Sequence, residues 1–159
     1  MDILEENKNG IKSICHFYAS MSSVLSEEDV FQEVVYNVLK GFKRYEKRKD
    51  CKTSTWVYRV AINVSISLMR KENRATFSTL EEIPVESEIC EDEIDKEGIE
   101  YLYSVIKNLD VEEQSLIFLY LDGKSYKEIS EILGISVSNV GTRLQRVKSK
   151  LRKISNENL

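Results

Sequence analysis

The chain has 159 residues, 42% hydrophobic and 31% charged, with a formal net charge of −4. That length holds one domain or two small ones with a real core, and six glycines and one proline point to a mostly helical chain. No apolar run approaches the ~20 residues of a membrane span. The opening MDILEENKNG lacks the basic and apolar regions of a signal peptide. Three widely spaced cysteines, Cys15, Cys51 and Cys90, imply a reducing cytoplasm and no disulfide frame.

The net charge hides a segregation. Residues 1–74 carry 13 basic and 10 acidic side chains, residues 75–100 carry one basic and 10 acidic, and residues 101–159 carry 9 basic and 7 acidic. The acidity lies in one middle segment, and both flanks are basic. The global charge is therefore a poor guide to nucleic-acid binding; its distribution matters.

Ile3, Leu4, Ile11, Ile14, Phe17 and Tyr18 mark a first helix over residues 3 to 20, clearest from Gly10 to Ala19, with Gly10 as its weak point. Cys15 and His16 read as packing residues; a zinc site from these two with Cys51 finds no support in the spacing. Ser26 opens a second helix with Glu27, Glu28 and Asp29 in its first turn, where they suit the helix dipole. Val30, Phe31, Val34, Val35, Val38 and Leu39 form its apolar stripe. Asp29, Gln32, Glu33 and Asn37 lie off that stripe.

Lys40 to Lys52 reads as a basic, non-periodic stretch, with Phe42 and Tyr45 among seven Lys and Arg residues. Basic side chains attract phosphates and aromatic rings offer platforms for unstacked bases; the plainer reading is a soluble loop with two aromatics tucked in. A third helix follows to about Lys71, capped within residues 53–55, burying Val57, Val60, Ala61, Val64 and Leu68. A second stripe on it, Trp56, Arg59, Asn63, Ser67 and Arg70, combines an aromatic, guanidinium groups and an amide on one face. Such a face can hold a single strand, although a half-buried Trp among surface polars gives the same pattern. Lys52 precedes the stripe; Lys71 and Arg74 extend its charge.

Residues 75–98 read as an acidic linker containing Pro84. Helix resumes from Ile99 to about Leu109. Asp110 with Glu113 forms a capping box for the next helix, packed by Leu116, Ile117, Leu119 and Tyr120 and closed by Gly123. Ser125 with Glu128 forms another, and Gly134 ends that short helix. Ser136 caps a last helix to about Lys153. Two capped helices joined by a tight Gly-containing turn are a helix-turn-helix. Val137, Val140, Leu144, Val147 and Leu151 would face the core. Ser138, Asn139, Thr142, Arg143, Gln145, Arg146 and Lys148 lie elsewhere, as side chains that reach bases and phosphates do when a helix enters the major groove.

Three segments together carry a resemblance. Asp29-Val-Phe-Gln32-Glu33 resembles the D-x-x-Q-E motif of sigma region 2.2. Thr55-Trp-Val-Tyr-Arg59-Val-Ala-Ile-Asn63 resembles the T-W-L-Y-R-I-A-x-N signature. Leu109-Asp-Val-Glu-Glu-Gln through Gly134-Ile-Ser-Val resembles region 4. From about residue 10 to 153 the chain is similar to bacterial RNA polymerase sigma factors of the sigma-70 family, extracytoplasmic-function (ECF) type. The resemblance implies an all-α protein of two small helical domains joined by the acidic linker: a region 2-like domain over 1–74, the linker over 75–98 and a region 4-like domain over 99–159.

It also implies roles. Asp29, Gln32 and Glu33 would dock on core RNA polymerase. Lys52, Trp56, Arg59, Asn63, Arg70, Lys71 and Arg74 would meet the −10 element of promoter DNA as melted strand, with Phe42 to Ser54 as a loop that captures a flipped base. Ser138, Asn139, Thr142, Arg143, Gln145, Arg146 and Lys148 would read the −35 element as duplex. An anti-sigma protein is a further possible partner. No cofactor, metal, membrane insertion or catalytic set is implied. One departure stands out: Gly141 occupies a position where the family carries Lys or Arg. An ordinary dimeric helix-turn-helix regulator would account for residues 125–153 but not for the two upstream motifs. A pure adaptor acting through its acidic segment would need no groove-facing set on the last helix.

Overall fold

The structure is a computed structural model that describes residues 2–48, 50–76 and 96–157, without the side chains of 75 and 76. Its described residues form seven helices and no strand: α1 (Ile3–Met21), α2 (Glu27–Arg48), α3 (Thr53–Thr76), α4 (Lys96–Ile106), α5 (Val111–Leu121), α6 (Tyr126–Leu133) and α7 (Val137–Glu157). Most of the expected linker, residues 77–95, lies outside the described residues; its ends are helical in α3 and α4.

Helices α1, α2 and α3 pack against one another as a three-helix unit. Ile11, Ile14 and Tyr18 of α1 meet Val30, Val34 and Val38 of α2 and Val57, Ala61 and Ile62 of α3, all at most 1% exposed. Full burial of one such aliphatic side chain stabilises by about 1.5–3 kcal/mol. Ser26 and Asp29 cap α2 reciprocally, each backbone N–H donating to the other's side chain at 3.1 Å. The α1–α2 turn is tied to the far end of α3, where Ser22 donates to Glu72 at 2.6 Å.

Several details differ from the sequence reading. The stretch from Lys40 is not a loop: α2 runs unbroken to Arg48. Its Lys, Arg and Glu residues are good helix formers. Phe42 and Tyr45, three apart on one face, pack against Trp56 with ring centroids 6.3 and 4.8 Å away. Only residues 49–52 separate α2 from α3. Leu39, expected in the core, is 55% exposed, because α1 and α3 cover the stripe through Val34 and Val38 instead. On α3 the buried stripe is rotated to Val57, Tyr58, Ala61, Ile62, Ser65 and Met69, leaving Val60, Val64 and Leu68 at its flank. Cys15 is buried as expected, but His16 is exposed and pairs with Glu27 across α1 and α2 at 3.1 Å.

Both downstream capping boxes form, at Asp110–Glu113 and Ser125–Glu128, and Gly123 and Gly134 adopt φ of +82° and +70°. Helix α5 is buried continuously from Gln114 to Leu119. A helix apolar all round sits inside a structure, and α5 lies between α6 and α7 on one side and α3 on the other. The two units therefore share one core, with Phe17 of α1 against Phe118 of α5 at 4.8 Å between ring centroids. Val137, expected to be core-facing, is 48% exposed at the first turn of α7, and Tyr120 is 38% exposed; Val140, Leu144 and Val147 are buried as expected.

Candidate nucleic-acid and polymerase interface

The continuous α2 turns the expected base-capturing loop into a cleft between two helices. A recess of about 450 Å³ is lined by Arg44, Tyr45 and Arg48 of α2 and by Trp56, Arg59 and Asn63 of α3. Tyr45 stacks on Trp56 with 19° between the rings, and its hydroxyl donates to the Cys51 carbonyl at 2.7 Å. Trp56 is thus half-buried and fixed by packing, with one edge left to the cleft. Asn63 is exposed on the cleft rim. The sequence reading missed Arg44 and Arg48 as site residues. Their spacing of four, in register with Gly41 and Tyr45, was the available signal once the segment is read as helix.

Not every residue of the expected −10 set is free. The Arg59 Nε donates to the Glu131 carbonyl of α6 at 2.6 Å, and its Nη1 approaches the Cys51 thiol at 3.7 Å. Arg70 is paired with Glu112 of α5. Lys52, Lys71 and Arg74 are exposed.

On α2, Asp29 is engaged in the helix cap. Its carboxylate accepts from Ser26, and those hydrogen bonds hold its pKa below the ordinary value. Gln32 and Glu33 are exposed one turn further on, and Tyr36 and Leu39 continue the surface as exposed apolar groups. The face is mixed polar and apolar, as an interaction surface is.

On α7, Ser138, Asn139, Thr142, Arg143, Gln145 and Arg146 are all exposed. They do not share one direction. Arg143 and Arg146 line a cavity of about 500 Å³ between α3, α5 and α7, together with Asn63, Arg70, Glu112 and Glu113. Lys148 is partly covered and lies over the Tyr120 ring, 4.0 Å from its centroid. Gly141 faces Tyr126 of α6: a Cβ there would meet the ring at 3.6 Å, ordinary van der Waals contact. Among the described residues no group of acidic, His and Cys side chains could hold a metal ion, and no helix is long and apolar enough to cross a membrane.

A three-helix unit with a basic, aromatic cleft, followed by a helix-turn-helix unit, defines a DNA-binding transcription protein of two parts. Residues 3–75 match sigma-70 region 2, and residues 99–151 match sigma-70, region 4. The chain belongs to the sigma-70 family of RNA polymerase sigma factors, and within it to the ECF type. It is 27% identical over 165 residues to the ECF RNA polymerase sigma factor SigW of Bacillus subtilis, spanning 96% of this chain and 86% of that protein. To SigX of the same organism it is 27% identical, spanning 79% of this chain and 69% of SigX. Among solved structures, the sigma factor RpoE in complex with the anti-sigma factor NepR from Bartonella quintana aligns with a TM-score of 0.71 at 18% identity, covering 96% of this chain and 95% of RpoE. CnrH in complex with the cytosolic domain of CnrY gives 0.67 at 16% identity, covering 98% and 86%. These two share the fold.

Proposed function

We propose that this chain is a promoter-specificity factor that binds core RNA polymerase, reads the −35 element as duplex and the −10 element as melted strand. It performs no catalysis itself. In this reading residues 1–74 serve polymerase binding and −10 recognition, and residues 99–159 serve −35 recognition. The observation that carries the reading is the pairing of two surfaces in one chain: the cleft of Arg44, Arg48, Trp56, Arg59 and Asn63, and the exposed Ser138, Thr142, Gln145 and Arg146 of a capped helix-turn-helix.

The physics of each surface suits its substrate. Extruding a base costs a few kcal/mol, which stacking and pocket contacts must offset. The Trp56 edge and the Asn63 amide supply both kinds of contact, while Arg44, Arg48, Lys52, Lys71 and Arg74 neutralise backbone phosphates. On α7 the short polar side chains reach base edges, and Arg146 reaches a phosphate or guanine. Gln32 and Glu33, with the adjoining Tyr36 and Leu39, form the face for the polymerase. An anti-sigma protein is a second partner, of the same kind as the NepR seen with RpoE.

The experiment is reconstitution of the purified chain with core RNA polymerase, followed by run-off transcription from a genomic fragment library. Tight binding with defined new start sites is expected. A chain that ignores core polymerase and dimerises on duplex DNA would overturn the reading.

A further inference from the structure

We infer that Tyr45 is a positioning residue for −10 reading: one buried side chain holds the turn between α2 and α3, and the Trp56 ring, in the arrangement that accepts an extruded base. The inference rests on the assignment of the α2–α3 cleft to the melted strand, and deepens it. Tyr45 lies in the last turn of α2 and is 6% exposed. Its ring belongs to a three-ring cluster, 6.4 Å from Phe42 and 4.8 Å from Trp56 between centroids, and is nearly parallel to the indole. Its hydroxyl has one proton to give. That proton goes to the Cys51 carbonyl at 2.7 Å, so the Thr53 hydroxyl is the donor to the Tyr45 oxygen at 3.2 Å. One phenol therefore ties the turn, the first residue of α3 and the stacked indole to the end of α2. The Cys51 thiol is met from α3 by the Arg59 Nη1 at 3.7 Å, so the turn is held on both sides.

A phenylalanine would supply the stack equally well; the hydroxyl is used wholly on the chain that borders the cleft. Gly41, one turn earlier on α2, completes the arrangement. A Cβ there would come within 3.1 Å of the Trp56 Cζ2, closer than ordinary contact. The absent side chain lets the indole seat against α2, and any substituent pushes it toward the 450 Å³ cleft that both residues line. Discrimination between bases requires stacking and hydrogen-bonding groups placed to within about 0.5 Å. A turn and an indole fixed before the strand arrives meet that requirement with no ordering left to do at the moment of capture. With the turn released, a wrong base is accommodated nearly as well as the right one. The loss then falls on selectivity at the captured position more than on overall affinity.

The test uses core RNA polymerase reconstituted with the full chain in three forms: unaltered, Tyr45→Phe and Gly41→Ala. Run-off start sites fix the −10 element, and templates then carry each −10 base replaced singly. The readout is the ratio of opening rates, best base over next best, at each position. Tyr45→Phe should narrow that ratio about fivefold at one −10 position, the change that loss of one neutral hydrogen bond carries. The other −10 positions and the response to −35 substitutions should stay as they were. Gly41→Ala should narrow the same ratio and shift the emission maximum of Trp56, the one tryptophan of the chain. Its melting temperature should be no lower than that of the unaltered chain, because helix propensity favours Ala and the indole can yield into the cleft. Opening slowed in proportion on every template, with the ratios intact, would mark a purely structural role and overturn the inference. If Tyr45→Phe loses helicity, Gly41→Ala decides. Selective opening by the unaltered form with the same ratios in both variants removes the inference and leaves the −10 assignment standing. An unaltered holoenzyme that opens no promoter removes that assignment, and the inference with it.

Discussion

Gly10 and Tyr58 are in contact across α1 and α3 so closely that a methyl group on residue 10 would sit 2.6 Å from the Tyr58 hydroxyl oxygen and 2.7 Å from a ring carbon. The ring has little freedom to retreat. It is 9% exposed, its hydroxyl donates to Asp122 and Lys124 lies over its face. Two effects oppose each other in Gly10→Ala. Helix propensity favours Ala by about 1 kcal/mol, whereas overpacking a filled site costs about 1–3 kcal/mol. The clash involves three atoms of one held ring, so net destabilisation is expected, read as a lower urea midpoint at unchanged slope. In the background of Tyr58→Ala the same change should stabilise, because only the propensity remains. Additivity of the two changes would refute the contact.

Trp56 requires a milder substitution than Ala for its function to be tested. It packs against Tyr45 and Phe42, and truncating a packed Trp costs about 3–5 kcal/mol at a fully buried site. Trp56→Ala is therefore expected to lower the melting temperature by several degrees and to confound any promoter assay. Trp56→Phe keeps a ring on Tyr45 and leaves a smaller cavity, so it should cost less stability than Trp56→Ala. If Trp56 presents its edge to an extruded base, this variant slows open-complex formation several-fold while closed-complex binding is unchanged. Equal loss in both steps would mark Trp56 as a packing residue alone.

Most of the fold was legible in the residues because its punctuation is local. Ser26, Asp110, Ser125 and Ser136 start helices through their own side chains, and Gly123 and Gly134 end them through their own backbone. What stayed hidden depends on contacts distant in sequence. Nothing local tells that Phe42 and Tyr45 will find Trp56, so the helix through Arg48 read as a loop. The Val60–Val64–Leu68 pattern on α3 fits a buried stripe as well as the true one. The buried side is the one α1 covers, where Gly10 leaves room for the Tyr58 ring. The exposed polar residues of α7 are visible in the helical pattern, whereas the seat of Lys148 on Tyr120, a ring expected inside, is not. The engagement of Arg59 by a carbonyl 72 positions away has no sequence signature at all.

Acid should loosen the helix-turn-helix in a way traceable to one carboxylate. The Ser125 backbone N–H donates to Glu128 at 2.7 Å, and this bond above all holds the Glu128 pKa below its usual 4.5. A depressed carboxyl contributes stability that is fully present above the unfolded value and lost as pH falls through the folded one. The expected window is thus from pH 4.5 downward. Glu128→Gln keeps an acceptor for the cap but has no proton to gain. The variant should be less stable near neutrality and should show a flatter melting-temperature profile below pH 4.5 than the unaltered chain. Identical profiles would assign the acid response to other groups, of which Asp29 in the Ser26 cap is the next to examine.

Gly141 offers the sharpest test of how α7 meets DNA. The position lies inside a helix, where Gly costs about 1 kcal/mol relative to Ala. The space beside it is open to a side chain, since a Cβ meets only the Tyr126 ring at 3.6 Å. Gly141→Ala should therefore stabilise the chain with no change in duplex affinity. Gly141→Lys adds a cation next to the exposed Thr142 and Gln145. If that side of α7 faces phosphates, duplex affinity rises and the slope of log affinity against log salt steepens by about 0.9. Arg146→Ala should move the same slope by a similar amount in the opposite direction. Lys148→Ala should move it less, because that ammonium is already seated on Tyr120. A Lys at 141 that stabilises like Ala yet leaves the salt slope untouched would mean that DNA approaches α7 from the Arg146 side, away from Tyr126.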